Sequence, residues 1–180
     1  MQVPLIPDEA QVSIALAAVS GGMFEIGDDL PTLGADADRV GLVTNPDLLR
    51  MAKLGRAAIP VDLLSYRTED NLPSVFLLHE DARQSMLAVF NWTEKPSAHH
   101  LRFAELKLAA GGHYKFTDVF APARGVTISR DAIQLEQPPH SVRMVKIVDA
   151  SVPAAAPSIK LELPRACFKN RFGLRLATYK

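Results

Sequence analysis

The hydrophobic pattern of this sequence changes once, near Ala58, and that change limits the possible folds more than any other feature. Before it, apolar residues recur at helical spacing; after it, they alternate with polar residues at a period of two. Eight short runs of the second kind are separated by turn-forming residues: 61–66, 74–79, 85–92, 99–103, 114–120, 126–129, 132–135 and 142–148. Short strands at this spacing predict an antiparallel sandwich or barrel.

The most apolar part of the first half is a predicted helix from Asp8 to Val19. Asp8, with Gln11 three positions later, predicts a capping box at its start, and Gly21 with Gly22 predicts its end. Apolar residues lie on nearly all sides of this helix, a pattern typical of helices that are buried on several faces. We therefore expect this helix to carry apolar surface that nothing else in the chain covers.

A short strand and two more helices are predicted before the pattern changes. Residues 23–26 read as a strand and residues 27–31 as the acidic loop that leaves it. Helix, glycine turn, strand and loop in this order form one step of a parallel α/β fold. A second helix is predicted over residues 35–43, and a third begins at the N-cap Asn45 and ends at Gly55.

Charge and cysteine content exclude several classes of protein. Twenty basic and twenty acidic residues give a net charge of zero without a local basic cluster, which argues against nucleic-acid and anionic-membrane partners. The longest apolar segment, residues 12–19, is too short to cross a bilayer, and the first seven residues do not form a signal peptide. The single cysteine, Cys167, excludes an internal disulfide framework.

Three segments together resemble one enzyme family. Residues 9–30, which end in Gly-Asp-Asp-Leu, resemble the last helix–strand unit of melibiase-type α-galactosidases, glycoside hydrolase families 27 and 36. Residues 86–92, Met-Leu-Ala-Val-Phe-Asn-Trp, resemble the central strand of the antiparallel domain in those enzymes. Residues 137–147, from Gln-Pro-Pro-His to Met-Val-Lys-Ile, resemble the close of that domain. The order and spacing of the segments extend the resemblance over residues 9–149.

The resemblance implies an α+β fold with three parts. Residues 1–57 would be the remnant of a (β/α)8 barrel, namely its last helix–strand unit, and residues 58–149 an antiparallel Greek-key β-sandwich. Residues 150–180 are expected to form an Ala/Pro linker and the truncated start of a further domain; the sequence assigns residues 158–180 no function.

The resemblance also implies an activity, but only for the intact enzyme: retaining hydrolysis of terminal α-galactosides or related α-glycosides. In that family the catalytic aspartates lie upstream of the segment present here, and neither matches a residue of this sequence. We therefore expect the chain to be inactive alone, to need no cofactor or metal, and to associate with a missing barrel or with itself. An intact parent could be secreted or periplasmic.

Asp28 and Asp29 are the paired acids that could touch a sugar. A retaining glycosidase needs two facing carboxyl groups about 5–5.5 Å apart, whereas neighbours in an extended chain point to opposite sides. They therefore cannot be the catalytic pair. One of them could line the rim of the sugar site in the intact barrel; alternatively, both could bind backbone N–H groups of the loop.

Other side chains that often carry chemistry are interpreted as structural. The five histidines, His79, His99, His100, His113 and His140, lack metal-ligand spacing, and Cys167 has no partner base. Phe90 and Trp92 share strand parity and are expected to pack as a core pair. An exposed Trp92 would instead favour a non-catalytic carbohydrate-binding module, which together with a purely structural domain remains the alternative to a glycosidase fragment.

Overall fold

A computed structural model describes residues 5–27, 29–66 and 72–154. Four helices precede eight strands. The helices are α1 (Pro7–Ser20), α2 (Leu30–Gly34), α3 (Ala37–Val43) and α4 (Pro46–Leu54). The strands are β1 (Ile59–Pro60), β2 (Val75–His79), β3 (Gln84–Asn91), β4 (Ser97–Arg102), β5 (Tyr114–Asp118), β6 (Thr127–Ser129), β7 (Ala132–Gln137) and β8 (Ser141–Asp149).

The strands form two antiparallel sheets. One has the order β1-β2-β3-β8-β5 and the other the order β4-β7-β6. The chain crosses between the sheets after β3, β4, β5 and β7, and β8 inserts between β3 and β5. Crossing connections of this kind characterise Greek-key sandwiches. The predicted α+β class with an antiparallel sandwich is confirmed.

The five-stranded sheet is buried on both faces because β3 and β8 alternate two sets of apolar side chains. Met86, Ala88 and Phe90 of β3 face a cluster that includes residues of α1 and α4. Leu87 and Val89 face the three-stranded sheet and the interior of the sandwich. The helices therefore cover the outer face of this sheet, as a third layer of the fold.

Helix α1 packs on this sheet through small residues and is fixed there at its C-terminal end. Ala15, Ala18 and Val19 are buried against the sheet and α4. Gly21 then adopts a left-handed φ of 65°, and a Cβ on it would lie 2.3 Å from the backbone nitrogen of Ala57. The Ala58 N–H also donates to the Val19 carbonyl at 2.8 Å. The helical segment and the start of the sandwich are thus in direct backbone contact; the domain boundary at residue 57 stays a prediction.

The predicted helix caps are partly wrong and partly right. Helix α1 begins at Pro7 with Ile6 as N-cap, so the predicted capping box of Asp8 and Gln11 is wrong; Glu9 instead accepts from the Ile6 N–H at 3.2 Å. Proline fixes the backbone angle of a first helical turn, which moves the start ahead of Asp8. The third predicted helix is confirmed as α4: the Asn45 side chain accepts from two N–H groups, and Gly55 is left-handed.

Three other predicted elements differ from the structure. Residues 23–26 do not form a strand, because no strand of the described residues pairs with them. Residues 61–65 form turns instead of a strand, since the Asp62 carboxylate accepts from the N–H groups of Ser74 and Val75. The helix expected over residues 35–43 forms as α3, but it begins two residues later, at Ala37, with Asp36 as its N-cap. The strand predicted at residues 159–163 lies outside the described residues.

Candidate functional site

A groove lies between α1, residues 24–27, α2 and α3. Its volume is about 640 Å³, and most of the residues that line it are apolar, Ile14, Phe24, Leu33 and Leu42 among them. The groove exists because α1 buries its Ala15, Ala18 and Val19 side against the sheet, and its opposite side, which also carries apolar residues, stays partly open. It is the place in the helical segment where a ligand or another piece of protein has room to bind.

Of the two predicted sugar-site residues, Asp28 lies outside the described residues and Asp29 is the N-cap of α2. Asp29 Oδ2 accepts from the Thr32 N–H at 3.1 Å and from the Thr32 hydroxyl at 2.6 Å. These two hydrogen bonds hold the pKa of Asp29 below its ordinary value. The Asp29 carboxylate is therefore ionised and binds the backbone of its own helix; a role at a sugar rim stays a prediction.

The carboxylates of Asp47 and Glu80 bind the same guanidinium group, that of Arg50. Arg50 of α4 binds Asp47 at 2.6 Å and Glu80, at the end of β2, at 2.7 Å. Lys146 of β8 adds a second cation, 2.9 Å from Asp47. Burial by itself raises the pKa of Asp47, but hydrogen bonds and charges from Lys146 and Arg50 outweigh it and hold the pKa below the ordinary value.

With its pKa lowered, Asp47 cannot serve as a general acid near neutral pH, because it has no proton to give. Neither Asp47 nor Glu80 lines the groove beside α1 or the two smaller grooves of the sandwich. We therefore assign the network to structure, as the ionic contact that joins α4 to the sandwich. Sequence reasoning missed it; the spacing of Asp47 and Arg50 on one helix face was its only local signal.

A second buried ion pair lies inside the sandwich. Arg143 of β8 pairs with Asp118 of β5, and the two side chains are 8% and 2% exposed. Asp118 also accepts from the N–H groups of Phe120 and Ala121, and Arg143 donates to the Gly125 carbonyl at 3.1 Å. These contacts satisfy both charges and fix the loop after β5, so this pair is also structural.

The histidines that the structure describes do not form a metal site. Two of them contact neighbouring polar side chains: His79 Nδ1 lies 2.9 Å from the Ser85 hydroxyl, and His140 Nε2 lies 3.0 Å from Glu94. Over residues 5–27, 29–66 and 72–154, no three His, Cys, Asp or Glu side chains come together in a cluster that could hold a metal ion. In the same residues, no helix is long and apolar enough to span a membrane.

Phe90 and Trp92 stack as the predicted core pair. Their ring centroids are 4.5 Å apart and their planes differ by 5°. Phe90 is fully buried, and the half-buried Trp92 donates its indole N–H to the Pro73 carbonyl at 3.0 Å. With one face on Phe90 and its donor in use, Trp92 does not present a free platform for a sugar ring.

Tyr66 has a different environment. It is 40% exposed and lines a groove of about 390 Å³ together with His99 and His100 of β4. An exposed tyrosine beside imidazole groups combines a stacking surface with hydrogen-bonding groups, which is the chemistry that binds sugars at protein surfaces. The sequence does not indicate that Tyr66 lies beside these histidines, because 33 positions or more separate them.

Comparison with known proteins adds information on the fold. No protein-family model matches the sequence, and no curated protein matches it significantly. Solved structures do match. α-Galactosidase I from Mortierella vinacea aligns with a TM-score of 0.68 and 11% identity over 83% of this chain and 38% of its own.

Two further enzymes match in the same way. A family 27 β-L-arabinopyranosidase from Geobacillus stearothermophilus aligns with a TM-score of 0.64 and 19% identity, over 86% of this chain and 33% of its own. Isomalto-dextranase from Arthrobacter globiformis T6 aligns with a TM-score of 0.61 and 17% identity, over 79% of this chain and 24% of its own. The chain thus spans about a quarter to two fifths of these enzymes. The expected likeness to a C-terminal part of family 27 α-galactosidases and related enzymes is confirmed at the level of fold.

Proposed function

We propose that this chain is the C-terminal, non-catalytic part of an α-glycoside hydrolase of the α-galactosidase type. The observation that supports this most strongly is the partial match: nearly the whole described chain aligns with family 27 enzymes, yet it spans well under half of each. The part that it matches contains a sandwich with a helical segment packed on it. In this proposal, catalysis belongs to the remainder of the enzyme.

The described carboxylates support the non-catalytic role. Retaining hydrolysis requires two carboxyl groups about 5–5.5 Å apart across the scissile bond, one of them protonated. Asp29 is committed to Thr32, Asp47 and Glu80 to Arg50, and Asp118 to Arg143. These four carboxylates are thus engaged in structural contacts, which supports a non-catalytic role for this part.

The role left for this part is mechanical. The sandwich buries one side of α1 and meets its C-terminal end at Gly21, and the Asp47 network holds the neighbouring α4, while the groove side of α1 stays open. In the intact enzyme, the open side would face the neighbouring barrel elements, which would also pair with residues 23–27. The sandwich would therefore hold the last barrel unit in place. The substrate of that enzyme would be a terminal α-galactoside or a related α-glycoside.

The test is a hydrolysis assay of the purified 180-residue chain on 4-nitrophenyl α-galactoside, with an established α-galactosidase as positive control. We expect no turnover above buffer between pH 4 and 7. Hydrolysis by the wild-type chain that disappears in Asp29→Ala or Asp28→Ala would contradict the proposal. A coding sequence for earlier barrel strands, in frame upstream of Met1, would support it independently.

A second candidate function is non-catalytic sugar binding, which the groove at Tyr66, His99 and His100 favours. It predicts that galactose or raffinose binds to the wild-type chain in calorimetry and that Tyr66→Ala removes the heat of binding. Tyr114→Phe is the matched control, because Tyr114 lies outside that groove and packs against Phe103. Absence of binding heat for the wild-type chain would exclude this second candidate for the sugars tested.

A further inference from the structure

The groove between α1 and α3 has the properties of a docking surface. Its apolar side chains include Ile14, Phe24 and Leu42, and Ile26 at its edge is 46% exposed. Beside it, residues 23–27 make no backbone hydrogen bond to any described residue. A partner that covers this place is stabilised in two ways. It removes the apolar side chains from water, and it forms hydrogen bonds with the unpaired backbone groups.

The segments that form this groove are strongly acidic. Residues 5–43 contain seven Asp or Glu residues and a single basic residue, Arg39, which gives a net charge of −6. Arg39 lines the groove but is already engaged, since it pairs with Asp36 at 3.3 Å and donates to the Leu5 carbonyl at 3.3 Å. A chain that binds here should therefore be both apolar and basic.

One segment of this protein has that composition. Residues 155–180, which lie outside the described part, contain six Lys or Arg residues and one Glu, a net charge of +5. Their large apolar residues are spread along the whole segment: Ile159, Leu161, Leu163, Phe168, Phe172, Leu174 and Leu176. The two charges nearly cancel, so the whole-chain net charge of zero conceals an acidic first part and a basic last part.

We propose that residues 155–180 bind in the groove between α1, residues 24–27, α2 and α3 of the same chain. The apolar residues of the segment cover the groove, and its Lys and Arg residues face the acidic residues around it. In the 180-residue protein, this segment takes the place that barrel elements would take in an intact glycosidase. The inference goes beyond the proposed function, and neither depends on the outcome of the other's test.

The connection is long enough. Cys167 lies thirteen positions beyond Ala154, the last described residue, and an extended chain of that length reaches about 43–47 Å. A compact body of about 150 residues is roughly 40 Å across. Cys167 can therefore reach either side of the protein, and its position reports where the segment prefers to bind. Tethering also gives the segment an effective concentration in the millimolar range.

Charge argues against a second copy as the occupant. Two copies that dock through this groove would bring together two surfaces of charge −6, and like charges face to face oppose association. The basic segment removes that repulsion. Self-association through the groove is therefore an outcome that would contradict the proposal.

The single native cysteine, Cys167, allows a direct test on the full chain. Ser13→Cys places a second thiol in the groove, at an exposed position of α1. Ser129→Cys is the matched control, because Ser129 is equally exposed but lies on β6, in the sheet on the far side of the five-stranded sheet from α1. Each variant is oxidised at low protein concentration, and mass spectrometry separates intramolecular from intermolecular disulfides.

We expect the intramolecular disulfide of Ser13→Cys to form at least roughly tenfold faster than that of Ser129→Cys, because docking raises the local thiol concentration on one side only. Adding Arg171→Glu and Arg175→Glu, or 1 M salt, should remove most of this difference. Equal rates for the two variants, or mainly intermolecular disulfides in Ser13→Cys, would overturn the proposal. Far-UV circular dichroism confirms that both variants fold.

Discussion

Lys146 Nζ lies 2.9 Å from Asp47 Oδ2, although 99 positions separate the two residues in the sequence. Lys146 belongs to β8, an interior strand of the five-stranded sheet, and Asp47 to the first turn of α4. Arg50 extends the contact to Glu80, whose side chain is 4% exposed. The helical segment is thus joined to the sandwich by charge as well as by apolar packing.

We expect Asp47→Asn to destabilise the protein by about 1–3 kcal/mol, because Lys146 and Arg50 lose a charged hydrogen-bond partner in a partly buried place. Urea unfolding at pH 7 measures the change. Asp38→Asn is the control, since it removes the same charge from an exposed residue in the first turn of α3. Equal destabilisation by the two variants would mean that the network contributes nothing specific.

The same network predicts a loss of stability in acid. The pKa of Asp47 in the folded protein lies below 3.8, so its contribution is complete above that pH and disappears as the pH falls through the lower folded value. The destabilisation caused by Asp47→Asn should therefore shrink between pH 4 and pH 2. A difference between wild type and variant that stays constant over this range would contradict the assignment of the lowered pKa.

Gly21→Ala should destabilise the protein by roughly 3 kcal/mol or more, since a left-handed alanine and a Cβ pressed against the Ala57 backbone each add a cost. Gly55→Ala separates the two effects. Gly55 has a similar φ of 58°, but a Cβ there meets no atom within 4 Å, so only the backbone cost of about 1–2 kcal/mol remains. Thermal unfolding of both variants gives the comparison, and similar midpoints would show that α1 does not abut Ala57.

Asp29→Ala should lower the thermal midpoint, because α2 loses the carboxylate that caps its Thr32 N–H. Asp29→Ser retains a capping oxygen and should recover most of the loss. Since the pKa of Asp29 is held down by Thr32, the effect should be present above pH 3.8 and fade below it. If Asp29→Ser and Asp29→Ala unfolded at the same temperature, capping would not be the role of this residue in the chain.

Trp92 is the only tryptophan, so intrinsic fluorescence reports on one site. Because its ring stacks on Phe90 and its N–H binds Pro73, adding galactose or raffinose should leave the emission spectrum unchanged. Trp92→Ala should destabilise the protein by about 3 kcal/mol, as expected for loss of a packed aromatic ring. A spectral shift that saturates with added sugar would move Trp92 from the core to a binding surface.

The features that sequence reasoning found are local ones. Helix α4 was predicted from Asn45 and Gly55, because a cap is formed by residues within one turn of each other. Most of the strands were predicted because apolar and polar residues alternate within each short run. Residues 23–26 were misassigned because a strand is stable only when it pairs with another strand. No strand of the described residues pairs with them.

The features that it missed depend on contacts between distant residues. Glu80 meets Arg50 across 30 positions and Lys146 meets Asp47 across 99, so neither pair leaves a pattern within a short window. The groove was anticipated only in outline, as apolar surface on α1. Its position follows from which side of α1 the sheet covers, and that depends on Met86, Phe90 and Met144 in strands far along the chain.

Asp118 and Arg143 allow the last prediction, which concerns a pair shielded from water. Asp118→Asn should destabilise the protein by about 3–5 kcal/mol, because it leaves the Arg143 guanidinium buried without its counter-charge. Arg143→Met in the same chain removes that isolated charge, and the double variant should therefore be more stable than Asp118→Asn alone. Urea unfolding of the wild type, both single variants and the double variant gives the coupling energy directly. If the stability losses of the two single variants simply added up in the double variant, Asp118 and Arg143 would act independently. Each would then stabilise the loop after β5 only through its own backbone hydrogen bonds, Asp118 to Phe120 and Ala121, and Arg143 to Gly125.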